Sequence, residues 1–158
     1  MKEPVSTYTN LAYAVAGLLL WDIILTPALI LLCIASGGYH WTKTRTWQKL
    51  DVRAMFLVFG AIMWYHLGTW EAGVMISASV ALTWVREGDF STEVMMPYMF
   101  LIVSALAIPS TGWLFVPVFA LAVLCNIPFL YLNWNKTLTD VLHGFWHLLT
   151  AYGLYLMV

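Results

Sequence analysis

The chain has 158 residues, of which 62% are hydrophobic and 9% are charged, and its formal net charge is −1. A soluble globular domain carries about 25% charged residues, so this composition excludes that class and is typical of a polytopic membrane protein. The near-neutral charge gives no indication of nucleic-acid binding, and nothing in the chain implies a protein partner. The length predicts one domain that covers residues 1–158.

Apolar runs of helical length follow one another along the chain, separated by polar or helix-breaking residues. A helix needs about 20 apolar residues to cross roughly 30 Å of hydrocarbon. The predicted spans are Val5–Trp21, Ile23–His40, Leu50–His66, Trp70–Val85, Val94–Pro109, Gly112–Tyr131 and Leu138–Met157. The sequence therefore predicts an all-α fold, a seven-helix transmembrane bundle.

The basic residues predict how this bundle is oriented. With a cytoplasmic N-terminus and seven spans, every Lys and Arg of the chain falls on the cytoplasmic side, as the positive-inside rule expects. These residues are Lys2, Lys43, Arg45, Lys49, Arg53, Arg86 and Lys136. We therefore expect a multi-pass protein of the plasma or inner membrane, with its N-terminus in the cytoplasm and its C-terminus outside.

Three of the four histidines lie at one end of the predicted bundle. His40 ends the second span, and His143 and His147 begin the seventh. Ionisable side chains are costly in a bilayer, so such a cluster indicates a functional site. His143 and His147 share a helix face because they are four residues apart. Three imidazoles with one open position are the ligands of a catalytic zinc ion. The alternative is a packed histidine pair and an ordinary boundary histidine.

Two further groups at the same end could take part in hydrolysis. Asp51 begins the third span and could accept a proton from water. Ser36 lies one turn deeper than His40 and could donate to an oxyanion, or it could merely bond to its own helix. Asp140 could orient a ligand histidine. His66 lies at the opposite end and is predicted to be an interfacial residue.

The combination of these motifs resembles one known superfamily. Ser-x3-His, an Asp eleven residues later and His-x3-His in the last of seven helices are similar to the CREST membrane hydrolases. That superfamily includes the alkaline ceramidases and the progestin and adipoQ receptors. The segment from Glu3 to Tyr13, with Thr9-Asn10, resembles the ceramidase-type opening, and His143-Gly-Phe-Trp-His147 resembles the ceramidase form of the final motif.

The resemblance implies a zinc-dependent hydrolase of a membrane lipid amide, such as the sphingolipid ceramide. The long acyl chain of that lipid would lie among the helices. The resemblance also implies the roles of the site residues. It assigns zinc binding to His40, His143 and His147, a place beside the water on the zinc to Asp51, and a place near the oxyanion to Ser36.

Two other functions remain open from the sequence. One is a receptor-like or lipid-binding membrane protein with a structural zinc, although a closed structural site needs a fourth protein ligand. The other is hydrolysis of a different acyl lipid, an ester or another N-acyl amide. Animal alkaline ceramidases have a longer, acid-rich N-terminal segment that binds calcium. Here only Glu3 precedes the first span, so the sequence gives little support for a calcium site.

Overall fold

The computed structural model describes residues 2–68, 103–105, 107–131 and 135–158. The described residues form helices and short connections, without a β-strand among them, which confirms the all-α class for this part of the chain. The helices with defined bounds are α1 (Pro4–Thr9), α2 (Leu11–Leu20), α3 (Leu25–Thr42), α4 (Arg45–Leu67), α5 (Phe115–Tyr131) and α6 (Lys136–Leu156).

Helix α4, with 23 residues, is long and apolar enough to cross a membrane, and it is the one such helix in the described ranges. The predicted span Trp70–Val85 and most of the predicted span Val94–Pro109 lie outside those ranges. The seven-span topology therefore stays a prediction.

The first predicted span is divided into two helices, α1 and α2, at Asn10. Pro4 occupies the first position of α1, where its missing N–H removes no helical hydrogen bond. The side-chain amide of Asn10 donates to the Ser6 carbonyl at 2.7 Å, and the backbone N–H of Tyr13 donates to the Asn10 carbonyl at 3.1 Å. Local hydrogen bonds around Asn10 thus connect the two helices.

The connection between α2 and α3 explains why α3 begins two residues later than predicted. Trp21 ends α2 in the left-handed conformation, with φ of 50°. The Asp22 carboxylate then accepts hydrogen bonds from the backbone N–H groups of Ile24 and Leu25, at 2.9 and 2.7 Å. Asp22 therefore satisfies donors that the first turn of α3 leaves without helical partners.

Helices α4 and α6 begin earlier than their predicted apolar spans. Lys43 ends α3 with φ of 55°, and α4 starts at Arg45 through a polar turn that the apolar pattern left out. Asn135 starts α6, because its side-chain oxygen accepts from the N–H groups of Thr137 and Leu138 at 2.9 and 3.4 Å. A side-chain hydrogen-bond acceptor, rather than hydrophobicity, therefore sets the start of α6, as Asp22 does for α3.

Helix α6 packs against α1, α2 and α5, and α3 packs against α1, α2 and α4. The short helix α1 thus lies between the two helices that carry the histidines. Its approach to α6 depends on Gly144, where an added Cβ would lie only 2.9 Å from a Val5 methyl group and 3.3 Å from Thr9. Gly144 follows His143 in sequence, so the closest approach of α1 occurs beside the histidine cluster.

Candidate metal centre

The fold brings the three predicted histidines together. His40 lies in the last turn of α3, while His143 and His147 lie one turn apart near the middle of α6. Their side chains are buried, and one nitrogen from each lies within 4.8 Å of the other two. The Nε2 atoms of His40 and His143 are 3.3 Å apart. These three histidines are close enough to bind one metal ion.

Each imidazole is held through its Nδ1 atom by an oxygen from another element. The contacts are His40 to the Glu3 carboxylate at 2.6 Å, His143 to the Asn126 amide oxygen at 2.8 Å, and His147 to the Ser6 carbonyl at 3.1 Å. Because all three partners are acceptors, Nδ1 donates in each ring. Such oxygen–histidine pairs orient metal ligands and select the tautomer whose Nε2 can bind.

Two features of the cluster fit a metal ion. Nε2 of His147 is buried without a hydrogen-bond partner among the described residues. With Nδ1 as the donor in each ring, the Nε2 lone pairs of His40 and His143 face each other at 3.3 Å, an arrangement that a cation between them would stabilise. Two ligands at about 2.05 Å from a tetrahedral zinc ion would themselves be roughly 3.3 Å apart. One pair of the three nitrogens has this spacing, and all three lie within 4.8 Å of one another, which is close enough for a single metal ion.

Helix α1 and the residue just before it provide two of the three oxygens that hold the imidazoles. Ser6 accepts from His147, and Glu3, just before α1, accepts from His40. Glu3 also pairs with the Lys43 ammonium, and its backbone N–H donates to the His40 carbonyl at 3.1 Å. Burial by itself would raise the pKa of Glu3, but hydrogen bonds from His40 and Lys43 outweigh it and hold that pKa below its usual range. Glu3 is therefore an ionised acceptor for the imidazole.

The structure also brings Ser36 and Asp51 to the histidines. Both line a cavity of about 100 Å³ that opens beside His40 and His143. The Ser36 hydroxyl interacts with the Asp51 carboxylate. One Asp51 oxygen, Oδ1, is buried without a hydrogen-bond partner in the described part of the chain. The cavity is completed by Tyr13, Leu32, Tyr39, Met55 and Trp146.

Asp140 occupies a different place from the one that we predicted. Its carboxylate accepts from the backbone N–H groups of Val5 and Ser6, at 3.0 and 2.9 Å, and from the Ser6 hydroxyl at 2.6 Å. The physical reason is the start of α1, whose first N–H groups have no helical acceptor and favour a negative charge. Asp140 thus acts on His147 through Ser6, which it fixes, and the described hydrogen bonds of its side chain reach no imidazole.

Sequence reasoning missed the roles of Glu3 and Asn126. The sequence gives Glu3 only a place in the N-terminal motif and in a doubtful calcium site, and it does not single out Asn126. A signal for Asn126 was present, because it is the one amide or charged side chain in the otherwise apolar helix α5. An amide among apolar residues of a helix indicates a specific hydrogen-bond partner, and here the partly buried Asn126 has His143 as that partner.

Comparison with known proteins adds no relative to this description. No protein-family model, curated protein or solved structure matches the chain. The resemblance to the CREST superfamily therefore rests on the motif residues alone.

Proposed function

We propose that this chain is a zinc-dependent hydrolase of membrane lipid amides, of the alkaline ceramidase type. One observation carries the proposal: three imidazoles, each held at Nδ1, converge beside a cavity that also contains a carboxylate and a hydroxyl. Three nitrogen ligands with an open fourth position are typical of catalytic zinc. A water-activating metal, a proton acceptor and a hydroxyl donor are together sufficient for acyl-group hydrolysis.

His40, His143 and His147 would hold the zinc ion. Zinc bound there would lower the pKa of a water ligand to about 7 and polarise the substrate carbonyl. Asp51 has a buried oxygen for the proton of the attacking water, and it can pass that proton to the leaving nitrogen. The Ser36 hydroxyl interacts with Asp51, and rotation about its C–O bond would let it donate to the developing oxyanion.

A membrane location supports a lipid as the substrate. The low charge content and the apolar helix α4 favour a chain that lies in a bilayer. In the proposed seven-span topology, with the N-terminus in the cytoplasm, the site lies near the cytoplasmic leaflet. A long acyl chain would extend between helices, where each buried CH₂ contributes about 0.8 kcal/mol. Fusing a reporter to the C-terminus tests this topology, and a reporter active only in the cytoplasm would contradict it.

The receptor-like alternative, in which the zinc is structural, has less support. A closed structural site needs a fourth protein ligand, and the cluster found among the described residues contains three histidines. The neighbouring Asp51 instead lines the cavity and has a buried oxygen without a hydrogen-bond partner among the described residues. Hydrolysis of an ester rather than an amide uses the same groups, so the identity of the bond needs its own evidence.

Hydrolysis by the purified protein tests the proposal. A panel of long-chain lipid amides and matched esters is incubated with the zinc-loaded protein, with chelator-treated protein, and with protein to which zinc has been returned. We expect hydrolysis that the chelator removes and zinc restores. Full zinc occupancy without hydrolysis of any lipid in the panel would favour the binding-protein alternative.

A further inference from the structure

Helix α1, which lies between the histidine-bearing helices, is too short to be stable by itself. Isolated helices of fewer than about 12 residues are marginal in water, and α1 has six. Its inner face is nevertheless buried, because Ser6 is 0% exposed and the neighbouring Asn10 is 1% exposed. Contacts with the neighbouring helices must therefore hold α1 in its helical form.

Helix α6 holds α1 at three successive turns. In the first turn, the Asp140 carboxylate accepts from the first backbone N–H groups of α1 and from the Ser6 hydroxyl at 2.6 Å. In the next turn, Gly144 leaves room for Thr9, which an added Cβ would approach to 3.3 Å. In the third turn, Nδ1 of His147 donates to the Ser6 carbonyl at 3.1 Å. The position of α1 therefore decides where the acceptor for His147 lies.

Helix α3 meets the other end of the same segment. Glu3, just before α1, accepts from Nδ1 of His40 at 2.6 Å, and its backbone N–H donates to the His40 carbonyl at 3.1 Å. The segment from Glu3 to Thr9 thus connects the metal-ligand candidate of α3 to one of those in α6. A displacement of α1 would change the acceptors of both imidazoles together.

A metal ion in the cluster would in turn favour the docked position of α1. Without a cation, the buried Nε2 of His147 has no partner among the described residues, and the Nε2 lone pairs of His40 and His143 face each other at 3.3 Å. An unpaired buried polar atom is costly. The rings can relieve this cost by turning, but turning breaks the Nδ1 hydrogen bonds to Glu3 and Ser6. A bound cation removes the cost and leaves those hydrogen bonds intact.

We propose that α1 is a strap whose docking and zinc binding depend on each other. The docked strap orients the imidazoles for the metal, and the metal keeps the strap docked, with the same factor in both directions by thermodynamic linkage. Asp140 and Gly144 are then positioning residues, because both act on the imidazoles through α1. This inference rests on the metal centre of the proposed function and not on its lipid hydrolysis.

Two glycine substitutions separate the strap from the helices that carry the histidines. In Gly144→Ala the added Cβ lies 2.9 Å from a methyl group of Val5, whose β-branched side chain is stiff, so α1 must move. The same change favours α6 itself, since Ala is the better helix former. The matched control is Gly37→Ala, three residues before His40 in α3. Its added Cβ would lie 3.7 Å from the Thr7 carbonyl, an ordinary contact.

Zinc affinity is measured by competition with a chelator, and docking of α1 by hydrogen exchange of its backbone amides with and without zinc. In wild type and Gly37→Ala, we expect zinc to slow the exchange of α1 by about tenfold or more. Gly144→Ala should lose about 10–100-fold in zinc affinity and most of the slowing. Asp140→Asn, which puts an amide donor beside the N–H groups of α1, should act in the same direction. Adding Val5→Ala to Gly144→Ala restores room for the strap and should recover most of the affinity.

Three results would overturn the strap. They are equal zinc affinities in Gly144→Ala and Gly37→Ala, exchange of α1 in wild type that zinc does not change, and a loss in Gly144→Ala that Val5→Ala does not restore. A wild-type protein that binds no zinc overturns the metal centre and the strap together. Coupling of zinc to α1 without any lipid hydrolysis overturns the proposed function and leaves the strap standing.

Discussion

Histidines at the two ends of the helical structure are used in different ways. His66, near the end of α4, donates from Nε2 to the Met157 carbonyl at 2.8 Å, and its Nδ1 lies 3.1 Å from the Ser110 hydroxyl. Both ring nitrogens therefore have protein partners. At the other end, His147 uses Nδ1 for the Ser6 carbonyl, whereas its buried Nε2 has no partner among the described residues. A histidine with both nitrogens satisfied joins helices, and one held at a single nitrogen can bind a ligand.

The largest effect should follow from removing one of the convergent imidazoles. We expect His147→Ala, like His40→Ala or His143→Ala, to lose most of the bound zinc, because two protein nitrogens cannot hold it tightly. The matched control is His66→Ala, which should keep its zinc. Metal analysis of the purified variants provides the measurement. Full zinc stoichiometry in all three cluster variants would show that the histidines are not its ligands.

The next effect concerns catalysis without metal loss. Asp51→Asn keeps the shape of the side chain but cannot take a proton, so we expect zinc to be retained and hydrolysis to fall by about 10²–10⁴-fold. Rates and zinc content are measured on the same preparation. Near-normal turnover in this variant would exclude Asp51 as the proton acceptor, and a parallel loss of zinc would assign it to the metal site instead.

How much of this site the sequence predicts depends on whether a contact joins residues that are near or far apart in the chain. His143 and His147 follow from helical spacing alone, and His40 and Asp51 from their places at the ends of apolar runs. The partners of the imidazoles do not follow in this way, because Glu3 and Asn126 contact them from distant parts of the chain. No spacing along the chain records those contacts. Asp140 illustrates the same limit, because its contact with the first backbone N–H groups of α1 does not follow from the sequence pattern.

The fold was predictable to a similar degree. Apolar runs indicated each helix that the structure describes, because burial and helix length leave a strong pattern in composition. The starts of α3 and α6, which Asp22 and Asn135 set, differed from the prediction by two residues, and α4 began five residues early. Helix ends at a left-handed residue differed by only one or two residues. The division of the first span at Asn10 also depends on a side-chain hydrogen bond, which hydrophobicity does not report.

A smaller effect is expected from the oxygens that hold the imidazoles. Replacing Asn126 with Leu removes the acceptor for Nδ1 of His143, so the ring loses its fixed tautomer and orientation. We expect zinc affinity to fall by about 10–100-fold, measured by competition with a chelator. Asn126→Asp keeps an oxygen at the same place and should retain most of the affinity. Equal affinities in Asn126→Leu and wild type would mean that packing alone orients His143.

The smallest effect is expected at the opposite end, where it sharpens the contrast between the two kinds of histidine. His66→Ala removes hydrogen bonds to the Met157 carbonyl and the Ser110 hydroxyl, which join α4 to neighbouring helical segments. Each such hydrogen bond contributes a net stabilisation of about 0.5–1.5 kcal/mol. We therefore expect the free energy of unfolding to fall by about 1–2 kcal/mol. Zinc affinity and lipid hydrolysis should stay at wild-type values, because both nitrogens of His66 are used within the protein and neither faces the cavity.

Denaturant unfolding in micelles measures the stability of His66→Ala, and metal titration measures its zinc affinity. A loss of zinc in His66→Ala at unchanged stability would mean that His66 influences the metal site from the opposite end of the helices. The number of hydrogen-bond partners of an imidazole would then not distinguish a structural histidine from a metal ligand.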